Sequence, residues 1–233
     1  MNRIKWNGES RTYYKGVHGG EAVAQQNPNT FNEFTKFLNN ESFDYVIEIG
    51  TSYGGFALFL HEQSLKHKFK FITFDWSGFR DGAFANRISW LKASMPARIL
   101  PFDYRDKNVF ETDLDKGASK EGSVENRIQG VTPLTEIKYL LLNNKCLLLC
   151  DGGDKVKEFN IFGKYLTTGS YIMAHDYAPD KNNFRHKVKD KIWNWFEIQD
   201  SDVQSAMNKY NIVKSKYYEQ FSSVAWLQCI KKK

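Results

Sequence analysis

The stretch Tyr45-Val46-Ile47-Glu48-Ile49-Gly50-Thr51-Ser52-Tyr53-Gly54-Gly55 decides how this chain is read. An apolar run closes on Glu48 and Gly50. A short polar, glycine-rich turn follows, and then Phe56-Ala57-Leu58-Phe59-Leu60-His61, which carries a helical pattern. Strand, tight loop and helix N-terminus in that order place free backbone N–H groups where a nucleotide-like ligand docks.

Three ligands compete for such a loop. A phosphate-cradling P-loop needs Lys-Ser/Thr after its last glycine, and Gly55 is followed by Phe56-Ala57. The NAD fingerprint wants a third glycine where Ser52 stands, which weakens that reading and leaves it open. S-adenosylmethionine has no phosphate, so a wider G-x-x-x-G-G turn suffices. The next expected strand, Phe69–Phe74, ends at Asp75, where a carboxylate can accept hydrogen bonds from both ribose hydroxyls.

The bulk composition narrows the class. At 233 residues, 41% hydrophobic and 15% aromatic, the chain is expected to fold as one domain rather than remain disordered. No window approaches the 18 apolar residues of a membrane span, and Met1–Gly8 lacks a signal-peptide core. Cys146, Cys150 and Cys229 are odd in number and sit in apolar runs, which fits reduced core residues of a cytoplasmic protein. The +6 charge lies partly in Lys231-Lys232-Lys233 and reads as a mildly basic surface, so nucleic acid is not the expected partner.

Strand and helix patterns alternate along the chain. A helix over Phe31–Leu38, with Thr30 and Glu33 as a capping box, precedes the first strand at Tyr45–Ile49. The helix Gly55–Leu65 and the strand Phe69–Phe74 follow. A helix at Phe84–Ser94 leads to a third strand at Arg98–Phe102, and Lys116–Gly122 reads as an exposed loop. Thr132-Pro133 opens a helix to Asn143. A fourth strand at Cys146–Cys150 ends at Asp151. After a helix at Val156–Leu166, a fifth strand at Ser170–Ala174 ends at His175-Asp176. An amphipathic helix over Ile192–Met207 and a hairpin of Ile212–Tyr218 with Val224–Ile230 complete the order. Such alternation implies a parallel sheet covered on both faces.

Ligands of open parallel sheets bind beyond the carboxyl ends of the strands, at the switch point. Glu48 and Gly50, Asp75, Asp103, Asp151, and His175-Asp176 all fall at expected strand ends. Asp151 should face the Gly50 loop, with His175 and Asp176 one strand away at about 5 Å.

Three stretches together resemble class I S-adenosylmethionine-dependent methyltransferases: Val46–Gly55, Leu147-Leu148-Leu149-Cys150-Asp151-Gly152-Gly153, and Leu166-Thr167-Thr168-Gly169-Ser170-Tyr171-Ile172-Met173-Ala174-His175-Asp176. The resemblance is to the small-molecule O-methyltransferase group, which includes catechol and macrocin O-methyltransferases and cephalosporin-hydroxylase-like proteins. It spans roughly Gln25 to Asp176 and implies an α/β, Rossmann-like doubly wound, mostly parallel seven-stranded sheet with an antiparallel C-terminal hairpin strand. Residues 1–233 then form one domain, with a helical lid or arm over 1–40 and the core over 41–233.

Carried onto this sequence, the resemblance implies methyl transfer from S-adenosylmethionine to a hydroxyl of a small molecule, a sugar or natural product. Glu48, Gly50, Thr51, Ser52, Gly54 and Gly55 would serve the cofactor, with Asp75 on its ribose, Asp103 and Tyr104 near its adenine, and Asp151 beside the sulfonium. In metal-dependent members the ends of strands four and five hold magnesium. The matching positions here are Asp151, His175 and Asp176, so magnesium or manganese assistance is implied. The catechol type carries Asp-Asn where this chain has His175-Asp176, and histidine suits magnesium less well than an oxygen donor does. Without metal, His175 is the candidate general base beside Asp151. Lys155 falls one residue past the spacing of the catechol type's lysine. Methylation of RNA or another nucleic acid, or cofactor binding without catalysis, are the alternatives. Homo-oligomerisation is left open.

Overall fold

The computed structural model describes residues 4–6, 11–17, 21–75, 100–110 and 132–233. Its centre is a seven-stranded sheet. The strands are β4 (Tyr45–Ile49), β5 (Lys70–Asp75), β6 (Asp103–Asp106), β7 (Cys146–Cys150), β8 (Tyr171–Ala174), β9 (Ile212–Lys214) and β10 (Leu227–Lys231), in the order β6-β5-β4-β7-β8-β10-β9. The strands from β6 to β8 are parallel; β10 runs antiparallel to both β8 and β9. The chain leaves β4 toward β5 and β6 on one side and returns to β7 on the other. The switch point therefore lies between β4 and β7, as the sequence implied.

Side-chain alternation builds two cores from one sheet. Leu147 and Leu149 of β7 face an aromatic layer from α1 (Thr30–Asn40) and α2 (Gly55–His67) that includes Phe34, Phe37, Phe56 and Phe59. Cys146, Leu148 and Cys150 face α3 (Pro133–Asn143), α4 (Lys155–Phe162) and α5 (Asp200–Tyr210). With both faces covered, every residue of β7 is buried, and all three cysteines are free and buried. In α1, Phe31, Phe34, Phe37 and Leu38 recur at helical spacing, and that stripe is the buried one.

Four expectations are corrected. Among the described residues of the 1–40 arm, those before Thr30 form no helix: β1 (Ile4–Trp6), β2 (Thr12–Lys15) and β3 (Glu21–Ala24) form an antiparallel sheet in which Thr12, Tyr14, Ala22 and Ala24 alternate inward. Helix α1 has no Thr30 capping box; Asn29 is the cap residue, and Glu33 pairs with Lys36. The edge strand beside β5 is Asp103–Asp106; of the strand expected at Arg98–Phe102, Leu100–Phe102 are not strand and residues 98–99 lie outside the described residues. A polar edge strand shows no apolar run, and Pro101 cannot donate to a ladder. The helix expected over 192–207 begins only at Asp200, behind a Gln199/Asp202 capping box, because 192–198 runs alongside the segment that follows β8, bridged at Tyr177–Ile198. The final hairpin holds, with a short helix α6 (Tyr218–Ser222) between its strands. The helix at Phe84–Ser94 and the loop at Lys116–Gly122 fall outside the described residues. Among the described residues no helix is long and apolar enough to cross a membrane.

Candidate active site

The glycine-rich turn is held by its neighbours on both sides. Gly50 sits at φ +99, and a Cβ there would lie 2.0 Å from the backbone oxygen of Asp151, so β4 and β7 approach each other at a point only glycine allows. On the other side, the Ser52 N–H donates to Asp75 Oδ2 at 2.6 Å. Below the turn, Glu48 is buried and accepts from Thr73 Oγ1 at 2.5 Å; Thr73 in turn meets Thr51 Oγ1 at 2.6 Å. Burial pushes the Glu48 carboxyl well above its usual range despite the bond from Thr73, favouring its neutral form. Glu48 therefore braces the loop from inside the sheet. At Gly55 a Cβ would meet the backbone of Val23 and Ala22 at 2.5–2.7 Å, which seats β3 across the start of α2.

Asp103 is placed differently from the expectation. It opens β6 opposite Ile72, and its carboxylate accepts from Arg105 at 2.8 Å. Asp106 is the residue that lies opposite Asp75 at the carboxyl ends.

Beyond β7 and β8, Asp151, His175 and Asp176 converge, with one ligand-type atom from each within 4.8 Å of the others. His175 Nδ1 lies 3.0 Å from Asp151 Oδ1 and 3.4 Å from Asp176 Oδ1. Its ring is buried between two indoles, 4.8 Å from Trp226 and 4.9 Å from Trp193. Its Nε2 is buried without a hydrogen-bond partner. Burial opposes charge on this imidazole, but Asp151 and Asp176 outweigh it and the net shift is upward. Asp176 sits at φ +58 and accepts from Trp193 Nε1 at 2.5 Å. Burial alone would raise its carboxyl; His175 and Lys155 bring it below the usual range.

Glu197, Gln26 and Glu158 were not legible in the sequence, and Lys155 was marked there only by its place one residue past the catechol type's lysine. Lys155 is 5% exposed, and its ammonium lies 2.9 Å from Asp176 Oδ2, 2.8 Å from Glu197 Oε2 and 2.9 Å from the Gly152 carbonyl. Burial disfavours the ammonium, yet Asp176, Asp151 and Glu197 together hold its pKa above the ordinary lysine value. Glu197 arrives on the 192–198 segment, whose backbone joins the turn after β8 through Glu197 N–H to Asp176 O at 2.9 Å. Gln26 donates to Asp151 Oδ2 at 2.7 Å and accepts from Trp226 Nε1 at 2.9 Å. Glu158 accepts from the Gly152 and Asp154 N–H groups, and burial raises its carboxyl to about 8.

No family model matches the chain, and no curated protein matches it. Solved structures do. The fold is one they share, and at these identities the likeness concerns the fold alone. A Nostoc punctiforme PCC 73102 protein provisionally described as an O-methyltransferase aligns with 87% of the chain at 12% identity and a TM-score of 0.50. The apo-structure of CmcI-N160 aligns with 94% of the chain at 11% identity and a TM-score of 0.53. The chain spans 56% of the length of the first protein and 76% of the second.

The expected metal ligands are gathered but already engaged. Both oxygens of Asp151 and both of Asp176 face donors of the protein, and a buried ammonium lies among them. As arranged, this donor set does not fit a divalent ion.

Proposed function

We propose that this protein transfers the methyl group of S-adenosylmethionine to a hydroxyl of a small molecule, a sugar or natural product. One juxtaposition carries the reading. The glycine-rich turn after β4 lies between Asp75 on one neighbouring strand and the Asp151–His175–Asp176 cluster on the other side. That is the place for a ligand with a ribose at one end and a reacting centre at the other. The description of the Nostoc punctiforme neighbour agrees with it.

Bound S-adenosylmethionine would supply an already activated methyl group. The chain's task is then to align the acceptor and take its proton. In this reading Gly50, Thr51, Ser52, Gly54 and Gly55 line the methionine side and Asp75 holds the ribose. His175 donates Nδ1–H to Asp151, which fixes the tautomer and leaves the Nε2 lone pair to accept the hydroxyl proton. Asp151, Asp176 and the stacked face of Trp226 stabilise the imidazolium that results. Gln26 keeps the Asp151 carboxylate from turning away.

The test is transfer of labelled methyl to a panel of sugars, phenols and natural-product alcohols. His175→Ala should lose nearly all turnover while keeping cofactor affinity; unchanged turnover would remove His175 from the mechanism. Turnover confined to RNA would replace the small-molecule acceptor by nucleic acid. Cofactor binding with no transfer to any class would leave a binding domain.

A further inference from the structure

The Lys155 ammonium is the centre of an oxygen cage. It has three N–H donors, and three acceptors stand within hydrogen-bond distance: Asp176 Oδ2 at 2.9 Å, Glu197 Oε2 at 2.8 Å and the Gly152 carbonyl at 2.9 Å. Asp151 Oδ1 is a further oxygen at 3.9 Å. Its donors are thus all used, and three carboxylates share one fixed positive charge.

Each oxygen of the two aspartates also faces a donor of the protein. Asp176 Oδ1 accepts from Trp193 Nε1, and Asp151 Oδ2 accepts from Gln26 Nε2. Asp151 Oδ1 faces His175 Nδ1, the ring nitrogen on that side of the cluster. A magnesium ion needs oxygens at about 2.0–2.1 Å in near-octahedral order. Here it would have to displace a buried ammonium or sit beside it, against like-charge repulsion that burial leaves poorly screened.

We infer that Lys155 is the resident cation of this cluster and stands in the place that a divalent metal would need. Lys155 is a positioning residue: it holds Asp176 and Glu197, and through Asp176 it sets the Trp193 and His175 rings. The acidic residues beyond β7 and β8 are then compensated by the chain itself. The inference does not rest on methyl transfer, although it makes any chemistry at this site independent of metal.

Its consequence is a latent metal site that one substitution uncovers. Lys155→Met removes the charge, keeps most of the apolar stem, and leaves Asp151, His175, Asp176 and Glu197 facing the vacated space. The probe is Mn2+ alone, followed by calorimetry and by loss of the free-ion electron paramagnetic resonance signal, with no cofactor added. Wild type should bind no Mn2+ at this site at millimolar concentration. Lys155→Met should gain binding by about two orders of magnitude or more, as expected from deleting one like charge a few ångströms away. Adding Asp176→Asn should abolish the gain. If Lys155→Met unfolds on its own, Mn2+ should restore its thermal transition. Lys155→Met that neither binds Mn2+ nor is stabilised by it would overturn the inference. So would wild type that binds Mn2+ and loses it on Asp176→Asn, a result that leaves the methyl-transfer reading intact. Absence of cofactor binding, conversely, would sink that reading and leave Lys155 as placed.

Discussion

Replacing Gly50 by alanine should pry the sheet apart where the site is built. The new Cβ would lie 2.0 Å from Asp151 O, 2.4 Å from its carbonyl carbon and 2.8 Å from Gly152 N. All three are backbone atoms, so no side chain can swing aside. Relief requires the ends of β4 and β7 to part by about 1 Å or more to regain ordinary contact distances. The bond across that gap, Asp151 N–H to Ile49 O at 2.9 Å, would stretch or break. A non-glycine residue at φ +99 adds strain of about 1–3 kcal/mol, and the lost bond about 0.5–1.5 kcal/mol. The sum, about 1.5–4.5 kcal/mol, corresponds to a fall in Tm of roughly 3–18 °C for a chain of this size. Calorimetric unfolding measures the fall, and amide exchange at Asp151 reports the broken bond. A Tm within about 2 °C of wild type, with Asp151 exchange unchanged, would refute the close approach on which the switch-point geometry depends.

Two pH dependences follow from the buried acids and the imidazole. Because Asp151 and Asp176 raise the His175 pKa above its ordinary 6.5 against the effect of burial, methyl transfer limited by its neutral form should rise with pH through a midpoint above that value. Asp176→Asn should lower the midpoint; a rate already level at pH 6.5 in wild type would contradict the base assignment. Glu158 has a folded pKa of about 8 against an ordinary 4.5, so its stabilising contribution is complete below 4.5 and is lost as pH rises toward 8. The slope is at most about 1.4 kcal/mol per pH unit. Glu158→Gln should therefore gain stability relative to wild type from pH 5 to 8 in denaturant titrations, and parallel curves for the two proteins would sink the assignment.

The strands that sequence reading located best are the ones buried on both faces. Tyr45–Ile49 and Cys146–Cys150 are apolar runs bounded by turn chemistry, and their ends match the structure. Asp103–Asp106 escaped because an edge strand needs no apolar face. The 192–198 segment misled because Ile192, Trp193 and Phe196 repeat at helical spacing, while Trp193 is recruited by Asp176 and Ile198 by Tyr177. Asp151, His175 and Asp176 were legible through strand order alone, since each sits at the end of a parallel strand. Glu197 and Gln26 were not, and Lys155 was marked only by its nearness to the catechol type's lysine, because their partners lie on other elements and no local pattern announces a buried ion pair.

The most direct test of the account is calorimetric titration of the intact chain with S-adenosylmethionine, S-adenosylhomocysteine and NAD, in wild type and in Asp75→Ala. The account predicts that both sulfur ligands bind to wild type, that Asp75→Ala loses them, and that NAD does not compete. Binding of neither sulfur ligand, or binding of NAD at the Gly50–Asp75 site instead, would contradict it.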